Sequence, residues 1–398
     1  MLNPRLDRLG LYPFDRLRDL LADVSPPAHL RPFVLSVGEP RHAPPAFISR
    51  IVAEHAADWS RYPPLEGTPE WRAAVAGYLG RRYDLSDGAI DPDRHLLPVC
   101  GTREALFLVG ALAVPARKSG RRPAVLMPNP FYQTYLAAAA LSGADPVLLP
   151  ATRDTGFLPD LEALDRDTLD RTAVMFLCSP ANPQGAVADA TYLRRAVELA
   201  RHHGFVLVVD ECYAEIYDGI PPPGTLAAAG GEFDNVLVFH SLSKRSSAPG
   251  LRSGFVAGNA RLIAALRRLR SYGGATVPLP LLAASAALWR DDAHVEATRA
   301  LYRAKMDAAA QRFGDSLGFY RPAGGFFLWL DVDDGERAAR SLWTEGAVRV
   351  LPGAYLAQDQ GGNDRNGANP GSRFIRVALI DDLQDTEEAL DRIVKIVR

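Results

Sequence analysis

The sequence predicts an α/β fold, in which a large domain with a mostly parallel sheet precedes a smaller α+β domain. Short apolar runs rich in β-branched residues alternate with longer helical patterns through the middle of the chain, which is typical of βαβ units. The C-terminal quarter instead combines a long helical pattern, three strand-like runs and a closing helix. Most of the central apolar runs end in a polar or aromatic cluster, which indicates a ligand site at one edge of the sheet.

Composition and charge narrow the class of protein. The 398 residues are 47% hydrophobic and 23% charged, so a large core is expected and disorder is not. A formal net charge of −2 gives no basic field for nucleic acid or for a membrane surface. The three cysteines, Cys100, Cys178 and Cys212, have no C-x-x-C spacing, which argues against a disulfide scaffold or a cysteine zinc site.

The apolar stretches of the sequence predict neither a signal peptide nor a membrane-spanning helix. The first residues are charged and broken by proline, without the apolar region of a signal peptide. The longest uncharged apolar stretch, residues 275–289, is too short to span a bilayer. The histidines show no metal-ligand spacing, so no metal is expected. We therefore expect a cytoplasmic protein.

The individual elements follow from the pattern along the chain. In the middle, the predicted strands are residues 124–127, 173–178, 205–209, 236–239 and 255–257, with helical patterns such as 191–202 between them. Towards the C-terminus, we predict a helix over 292–317, strands at 326–330, 348–351 and 374–378, and a closing helix over 385–397. A Gly/Asn-rich loop, residues 358–372, separates two of these strands, and a loop of that length is often functional.

The polar clusters at the strand ends are predicted to share one site. They read LLPVCGTRE, VLMPNPFYQTY, MFLCSPANPQG, VLVVDECY and LVFHSLSKRSS. Ligands of open parallel sheets bind outside the carboxyl ends of the strands. The five clusters are therefore expected to converge on a single ligand.

Lysine usage indicates the chemistry of that site. The chain has only four lysines, Lys118, Lys244, Lys305 and Lys395. Lys118 lies in the charged run ARKSGRR, where a solvated side chain is expected, and Lys305 and Lys395 lie in amphipathic helical patterns, where a surface role is expected. Only Lys244 follows an apolar strand directly, so it is a candidate Schiff-base nucleophile. The alternative is a structural lysine paired with a carboxylate.

The neighbours of Lys244 favour the first interpretation. Ser241 and Arg252 offer a hydroxyl and a guanidinium, which suit a phosphate monoester. Residues 101–103 precede an apolar helical run, whose first amides would bind an anion. Asp210 ends a buried strand and needs a cationic partner, for which a protonated pyridine nitrogen would serve. Each signal alone is weak, since Asp210 could cap a helix, but together they meet the three demands of pyridoxal 5′-phosphate.

On these motifs the chain resembles the fold-type I pyridoxal-phosphate aminotransferases of class I/II over nearly its whole length. The matching stretches are SVGEP, YPPLEG, CGTREALF, NPFYQTY, SPANPQG, DECYAEIY, SLSKRSSAPGLRSG and RFIRVAL. The resemblance implies a seven-stranded, mostly parallel sheet flanked by helices in a large cofactor-binding domain, residues 48–290. It also implies a smaller C-terminal α+β domain, residues 291–398, which an N-terminal arm, residues 1–47, would join.

The resemblance implies a role for each matching residue. Lys244 would bind the cofactor covalently, and Asp210 would pair with its pyridinium nitrogen. Tyr213 and Asn182 would hydrogen-bond the ring hydroxyl oxygen, and Tyr132 would stack on the ring. Lys244, Asp210 and Tyr213 would be the catalytic residues. Without the motifs, the favoured interpretation of both tyrosines would be core aromatics with a hydrogen-bonded hydroxyl.

The remaining roles concern the phosphate and the substrate. Arg376 would bind the substrate α-carboxylate with help from Asn182 and the backbone at Gly38; an arginine in so apolar a strand needs an anion. Tyr62 would reach the phosphate of the partner subunit, so the active site would be shared across a homodimer, although Tyr62 could also be a simple turn aromatic. The resemblance assigns the phosphate to Gly101, Thr102, Arg103, Ser241 and Arg252.

Within the family, SVGEPRHAPPAFI, SYGGAT and LPGAYLA resemble the succinyldiaminopimelate aminotransferases of proteobacteria. This implies ping-pong transfer of an amino group from N-succinyl-LL-2,6-diaminopimelate to 2-oxoglutarate, in the succinylase branch of diaminopimelate and lysine biosynthesis. Arg41 and Arg245 are hypotheses for the distal carboxylates. Two residues depart from the family pattern: Gln184, which should leave Asn182 in place, and Leu65 in the Tyr-Pro loop, which affects the entrance and leaves fine specificity open.

Two alternatives remain open, and a third is disfavoured. The amino donor could be acetylornithine or a substrate of aromatic or aspartate type. A pyridoxal-phosphate C–S β-lyase would keep Lys244, Asp210 and Arg376 but release pyruvate and ammonia. A nicotinamide dehydrogenase is disfavoured because no G-x-G-x-x-G follows a strand.

Overall fold

The computed structural model describes residues 2–359 and 369–397, and twelve strands lie within these ranges. Seven of them form one sheet, in the order β2-β8-β7-β6-β5-β3-β4, and three form a second sheet, in the order β11-β12-β9, while β1 pairs with β10. The strands are β1 (Phe33–Val34), β2 (Leu96–Val99), β3 (Ala124–Asn129), β4 (Asp145–Pro150), β5 (Thr172–Cys178), β6 (Val206–Asp210), β7 (Val236–Ser241), β8 (Gly254–Gly258), β9 (Phe327–Asp331), β10 (Val348–Arg349), β11 (Leu351–Pro352) and β12 (Phe374–Ala378).

Fourteen α-helices occur in the same described ranges, with short 3₁₀ turns between them. The helices are α1 (Pro13–Leu20), α2 (Phe47–Glu54), α3 (Pro69–Tyr83), α4 (Thr102–Ala113), α5 (Gln133–Ser142), α6 (Arg166–Arg171), α7 (Ala190–His203), α8 (Thr225–Ala228), α9 (Leu242–Arg245), α10 (Ala260–Arg270), α11 (Leu279–Arg290), α12 (Ala293–Phe313), α13 (Gly335–Gly346) and α14 (Leu383–Val397). The 3₁₀ turns are Pro4–Arg8, Ala56–Ser60, Arg153–Thr155, Pro249–Leu251, Ser316–Gly318 and Gly353–Tyr355.

The seven-stranded sheet confirms the predicted fold class. β3 to β7 run parallel, and β8 is antiparallel to both of its neighbours, β7 and β2. Its central strands are buried on both faces, since helices cover both sides, and they therefore read as continuous apolar runs. Trp71, Val197 and Trp289 pack on one face, and Leu106 and Ile263 on the other.

Strand register aligns the residues that follow the central strands. Cys178 at the end of β5 lies opposite Asp210 at the end of β6, and Asp210 lies opposite Phe239 of β7. Ser241 at the end of β7 pairs with Gly254 of β8. The carboxyl ends of three strands therefore meet at one edge of the sheet, as the sequence predicts.

The C-terminal elements differ in detail from the prediction. The predicted helix over 292–317 ends at Phe313, because Gly314 takes a positive φ of 52° and the chain turns into a separate 3₁₀ turn. The predicted strand over 348–351 is two short strands, one paired with β1 and one with β12. β12 coincides with its predicted bounds. Of the Gly/Asn-rich loop, residues 360–368 lie outside the described residues.

The apolar stretch over residues 275–289 supplies most of α11, whose Leu282 and Trp289 are fully buried in the core. Within the described ranges, the chain has no helix that is both long and apolar enough to cross a bilayer. The division into domains at residues 47 and 290 stays a prediction. α11 and α12 meet close to the second of these positions.

Two lysines contradict the predicted surface roles. Lys118 is half-buried, and its Nζ donates to the carbonyls of His203 and Gly204, each at 2.9 Å, because those carbonyls are left open at the end of α7. Lys305 is only 1% exposed, because its face of α12 packs against the chain that follows β1 and β12. Lys395 is exposed, as predicted.

Candidate active site

A cavity of about 480 Å³ opens at the carboxyl ends of β5, β6 and β7, beside the start of α4. This volume lies within the range of small-molecule sites. The cavity brings together every residue that the resemblance assigned to cofactor or substrate except Tyr62, but it does not include the two hypothetical distal contacts, Arg41 and Arg245. The residues brought together are Gly38, Gly101, Thr102, Arg103, Tyr132, Asn182, Asp210, Tyr213, Ser241, Lys244, Arg252 and Arg376.

Lys244 is presented to the cavity by α9, a single turn that follows β7. Ser241 caps this turn, since its Oγ accepts a hydrogen bond from the Ser243 amide at 3.1 Å. The Lys244 Nζ donates to the Gly38 carbonyl and lies 5.4 Å from the centre of the Phe326 ring. Burial lowers the pKa of Lys244 to about 8, so the amine can lose its proton near neutral pH. A nucleophile or a general base needs this property.

Asp210 is a buried carboxylate that faces the cavity without a cationic partner. It is 6% exposed and accepts hydrogen bonds from the Tyr135 hydroxyl and the Cys212 amide, each at 3.2 Å. In the part of the chain that the structure describes, no lysine or arginine forms an ion pair with it, and burial raises its pKa. A protonated pyridine nitrogen in the cavity would supply the missing charge, so Asp210 fits pyridoxal phosphate.

Arg252 and the start of α4 form a cradle for an anion. The Arg252 guanidinium donates to the carbonyls of Pro249 and Cys100, at 2.9 and 3.1 Å, and within the described ranges it pairs with no carboxylate. Gly101 has a φ of 78°, which favours glycine, and a Cβ there would lie 2.1 Å from an Arg252 nitrogen and displace the guanidinium. The free amides at the start of α4 also favour negative charge. This cradle fits the cofactor phosphate.

Arg376 is a buried cation held by neutral acceptors. It is 4% exposed, and it donates from Nη1 to Asn182 Oδ1 at 3.0 Å and from Nη2 to the Ser36 carbonyl at 2.7 Å. Its Nε is buried without a partner in the described structure. Burial lowers the pKa of Arg376 to about 10, so it stays charged at neutral pH. A buried, uncompensated guanidinium fits a substrate carboxylate.

Tyr132 and Tyr213, which were predicted to contact the cofactor ring, both lie in the cavity wall. The Tyr132 hydroxyl accepts a hydrogen bond from Arg103 Nε at 2.7 Å. The Tyr213 ring packs edge-on against Phe326 and Phe327, with ring centres 5.6 and 5.8 Å apart. Burial raises the pKa of Tyr213, so its hydroxyl keeps its proton and can donate a hydrogen bond.

Sequence reasoning missed two residues of the site. Tyr135 donates to Asp210 and stacks on Phe176, with ring centres 4.6 Å apart. Its signal was the last aromatic of NPFYQTY, three residues beyond Tyr132 and therefore on the adjoining helix face. Tyr12, directly before α1, also lines the cavity, and no spacing in the sequence connects it to the strand ends.

The hypotheses for Arg41 and Arg245 are wrong, since neither lines the cavity. Arg41 forms an ion pair with Asp381. Arg245 is 3% exposed and donates to the Leu288 carbonyl and to Asp292 Oδ1, at 2.6 and 2.7 Å. Consecutive helical residues point in different directions, so Arg245 faces the end of α11 while Lys244 faces the cavity.

Tyr62 lies outside the cavity of its own chain and is fully exposed. Its predicted contact with a partner subunit stays a prediction. Among the residues with described positions, no group of three or more His, Cys, Asp or Glu side chains could hold a metal ion.

Comparison with known proteins gives consistent results. The family model described as "Aminotransferase class I and II" matches residues 32–393. The chain is 33% identical over 363 residues to an LL-diaminopimelate aminotransferase of Desulforudis audaxviator (strain MP104C), covering 88% of each chain. It is 33% identical over 354 residues to a 4-dedimethylamino-4-oxo-anhydrotetracycline transaminase of Streptomyces rimosus, covering 87% of this chain and 88% of that one. A solved aminotransferase of Neisseria meningitidis Z2491 is 37% identical with a TM-score of 0.93, covering 100% of both chains.

Proposed function

Because this chain belongs to the class I and II aminotransferases, which depend on pyridoxal phosphate, we propose that it transfers the amino group of N-succinyl-LL-2,6-diaminopimelate to 2-oxoglutarate. Two kinds of observation support the choice of donor. The motifs resemble succinyldiaminopimelate aminotransferases, and a relative covering 88% of the chain is named for LL-diaminopimelate, which is the proposed donor without its succinyl group. The single observation that best supports an amino-acid substrate is that Arg376 is buried without a counter-charge in the cavity that contains Lys244.

Bound pyridoxal phosphate supplies an aldehyde that condenses with the substrate amine and a ring that accepts electrons from the substrate Cα. The chain supplies the positioning and the proton transfers. Arg376 and Asn182 bind the α-carboxylate in the cavity that holds Lys244. The Lys244 Nζ takes the proton from the substrate Cα, since a pKa of about 8 leaves on the order of a tenth of the amines neutral at pH 7. Asp210 holds a proton at the ring nitrogen.

Arg103 is the cation that we assign to the distal end of the substrate. It lines the cavity beside Tyr12, and Tyr132 fixes its Nε. Its Nη groups donate to no protein acceptor within the described ranges, so they can bind a distal carboxylate. The role that the resemblance gives Arg103 at the phosphate is compatible with this assignment, because its backbone amide belongs to the first turn of α4.

A steady-state assay of glutamate formation from 2-oxoglutarate tests the proposed donor. N-succinyl-LL-diaminopimelate, LL-diaminopimelate and N-acetylornithine are compared as donors with one enzyme preparation. We expect kcat/KM to be at least about 10-fold higher for the succinylated donor, since one additional bound carboxylate contributes about 1.5 kcal/mol or more. A faster reaction with either other donor would refute the assignment. Pyruvate released from cystathionine without a keto acid would indicate the β-lyase instead.

The variant Arg103→Ala separates the distal contact from the rest of the site. We expect KM for the succinylated donor to rise about 10-fold and KM for glutamate to change less, because the charge-assisted contact is lost only by the longer donor. Arg166→Ala is the matched control, since Arg166 is exposed and pairs with Asp170 on the surface of α6, outside the cavity. Equal effects of Arg103→Ala on both donors would contradict the distal role.

We also propose a homodimer whose active site is shared between subunits. Tyr62 is 100% exposed and Trp59 is 55% exposed in the same surface segment, and large aromatic side chains that are exposed together are typical of interfaces. Sedimentation of the holoenzyme tests this directly. A dimer is expected, and a monomer with full activity would refute it.

A further inference from the structure

Lys305 is a buried cation outside the active-site cavity, and none of the reaction steps above uses it. Its Nζ donates to His42 Nε2 at 2.6 Å and to the Leu379 carbonyl at 3.2 Å. The carboxylates of Asp381 and Asp382 lie close enough to act on its charge, but within the described ranges neither forms an ion pair with it, and Asp381 pairs with Arg41. The two hydrogen-bond partners of Lys305 are therefore neutral. A buried ammonium group on neutral partners is costly, so its packing alone does not explain it.

His42 is held in one protonation state by this contact. Its ring packs against Tyr302, with ring centres 4.8 Å apart. Burial, together with the positive charge of Lys305, lowers the pKa of His42 to about 4, so the ring is neutral near pH 7. Because Nε2 accepts from Lys305, the proton lies on Nδ1, which is buried without a partner in the described structure. This arrangement also costs stability, which argues for a purpose other than stability.

The partners of Lys305 belong to the two segments that build the α-carboxylate site. His42 lies four residues after Gly38, which lines the cavity and accepts from Lys244. Leu379 directly follows β12, which carries Arg376. The same two segments meet again inside the site, where Arg376 binds the carbonyl of Ser36. Lys305 thus joins the same two segments outside the cavity.

We propose that Lys305 is a positioning residue for substrate carboxylate binding, because it ties residues 38–42 to the end of β12 and so holds Gly38 and Arg376 at a fixed separation. Arg41 and Asp381 join the same two segments near the surface, where the Arg41 side chain is about half exposed. Lys305 adds a buried contact to the backbone hydrogen bond that the Ala378 amide donates to the Leu35 carbonyl at 2.9 Å. The inference uses only the transamination common to the family and does not depend on the succinylated donor.

Every donor and acceptor carries an α-carboxylate, so a defect in binding this group should change KM for all of them. Replacing Lys305 should raise KM for glutamate and KM for 2-oxoglutarate by the same factor, about 10-fold, because small displacements of positioning groups weaken binding of all substrates alike. kcat should change by a smaller factor than KM, since neither Lys244 nor Asp210 is itself replaced. A residue that only maintains the fold would change the melting temperature without this KM pattern.

The experiment uses the Lys305→Met holoenzyme, with Lys395→Met as the matched control at an exposed lysine. KM for both substrates is measured together with the calorimetric Kd of glutarate, which carries the carboxylates but cannot react. We expect a 10-fold weaker glutarate Kd and the same factor in both KM values. Unchanged glutarate binding, or a fall in kcat at constant KM, would overturn the proposal.

A second pair of variants keeps the test decisive if Lys305→Met does not fold. His42→Gln retains an acceptor for Lys305 and should bind glutarate nearly as wild type does. His42→Leu removes the acceptor and should weaken glutarate binding several-fold. Equal affinities in these two variants would overturn the proposal. Where Lys305→Met does fold, the effects of Lys305→Met and His42→Leu should not add in the double variant, because both remove one contact.

Discussion

The pKa of Lys244 gives a prediction for the attachment of pyridoxal phosphate to the cofactor-free enzyme. Burial, with the nearby charge of Arg376 acting in the same direction, lowers the pKa of Lys244 from 10.5 to about 8. Only the neutral amine is a nucleophile, so the attachment rate should rise with pH and level off above about 8. At pH 7 this shift makes the neutral fraction about 300-fold larger than for an ordinary lysine, at a cost of about 3 kcal/mol.

The assay mixes cofactor-depleted enzyme with pyridoxal phosphate between pH 6 and pH 10. Attached cofactor is trapped with borohydride at short times, and Nα-acetyl-lysine serves as the control for the pH dependence of the aldehyde itself. The ratio of the two rates should be largest at low pH and fall as the pH approaches 10. A constant ratio would mean that Lys244 titrates as a free lysine, and the argument from burial would then be wrong.

Three substitutions test the remaining residues assigned to cofactor and substrate binding. Asp210→Asn should weaken pyridoxal-phosphate binding by about 3 kcal/mol, or roughly 100-fold in Kd, because the ring nitrogen loses its buried counter-charge; an unchanged Kd by equilibrium dialysis would contradict this. Arg376→Gln should raise KM for glutamate and for 2-oxoglutarate roughly 100-fold through the loss of two charge-assisted hydrogen bonds, with an unaltered absorbance spectrum of the bound cofactor. A change confined to one substrate would exclude an α-carboxylate role. Tyr62→Phe should weaken cofactor binding about 10-fold although Tyr62 lies outside its own cavity, and normal affinity in a dimer would remove it from the shared site.

The sequence was most informative where a charged or reactive side chain directly follows a buried strand. Asp210, Ser241 and Lys244 were placed together because the carboxyl ends of parallel strands meet at one edge of a sheet, and the register of β6 and β7 confirms this. The apolar runs of β5 to β8 were found within one or two residues of their bounds. These predictions needed only local pattern and one general rule of topology.

The failures concern side chains whose direction depends on distant segments. Arg245 follows Lys244 directly, yet it points to the end of α11, and nothing in the local sequence distinguishes the two directions. Lys305 lies in a helix whose covered face includes the chain after β1, more than two hundred residues away. β4 was not among the predicted strands, because proline and aspartate interrupt its apolar pattern and it lies at the edge of the sheet.

One measurement tests the central claim most directly: borohydride reduction of the holoenzyme, followed by peptide mapping of the attached cofactor. Before any donor is added, the label should lie on the Lys244 peptide. After glutamate alone it should be lost, because the amino group has passed to the cofactor and Lys244 is free, and 2-oxoglutarate should restore it. A label on Lys118, Lys305 or Lys395, or a Lys244 label that glutamate does not remove, would contradict a transaminase built on this cavity.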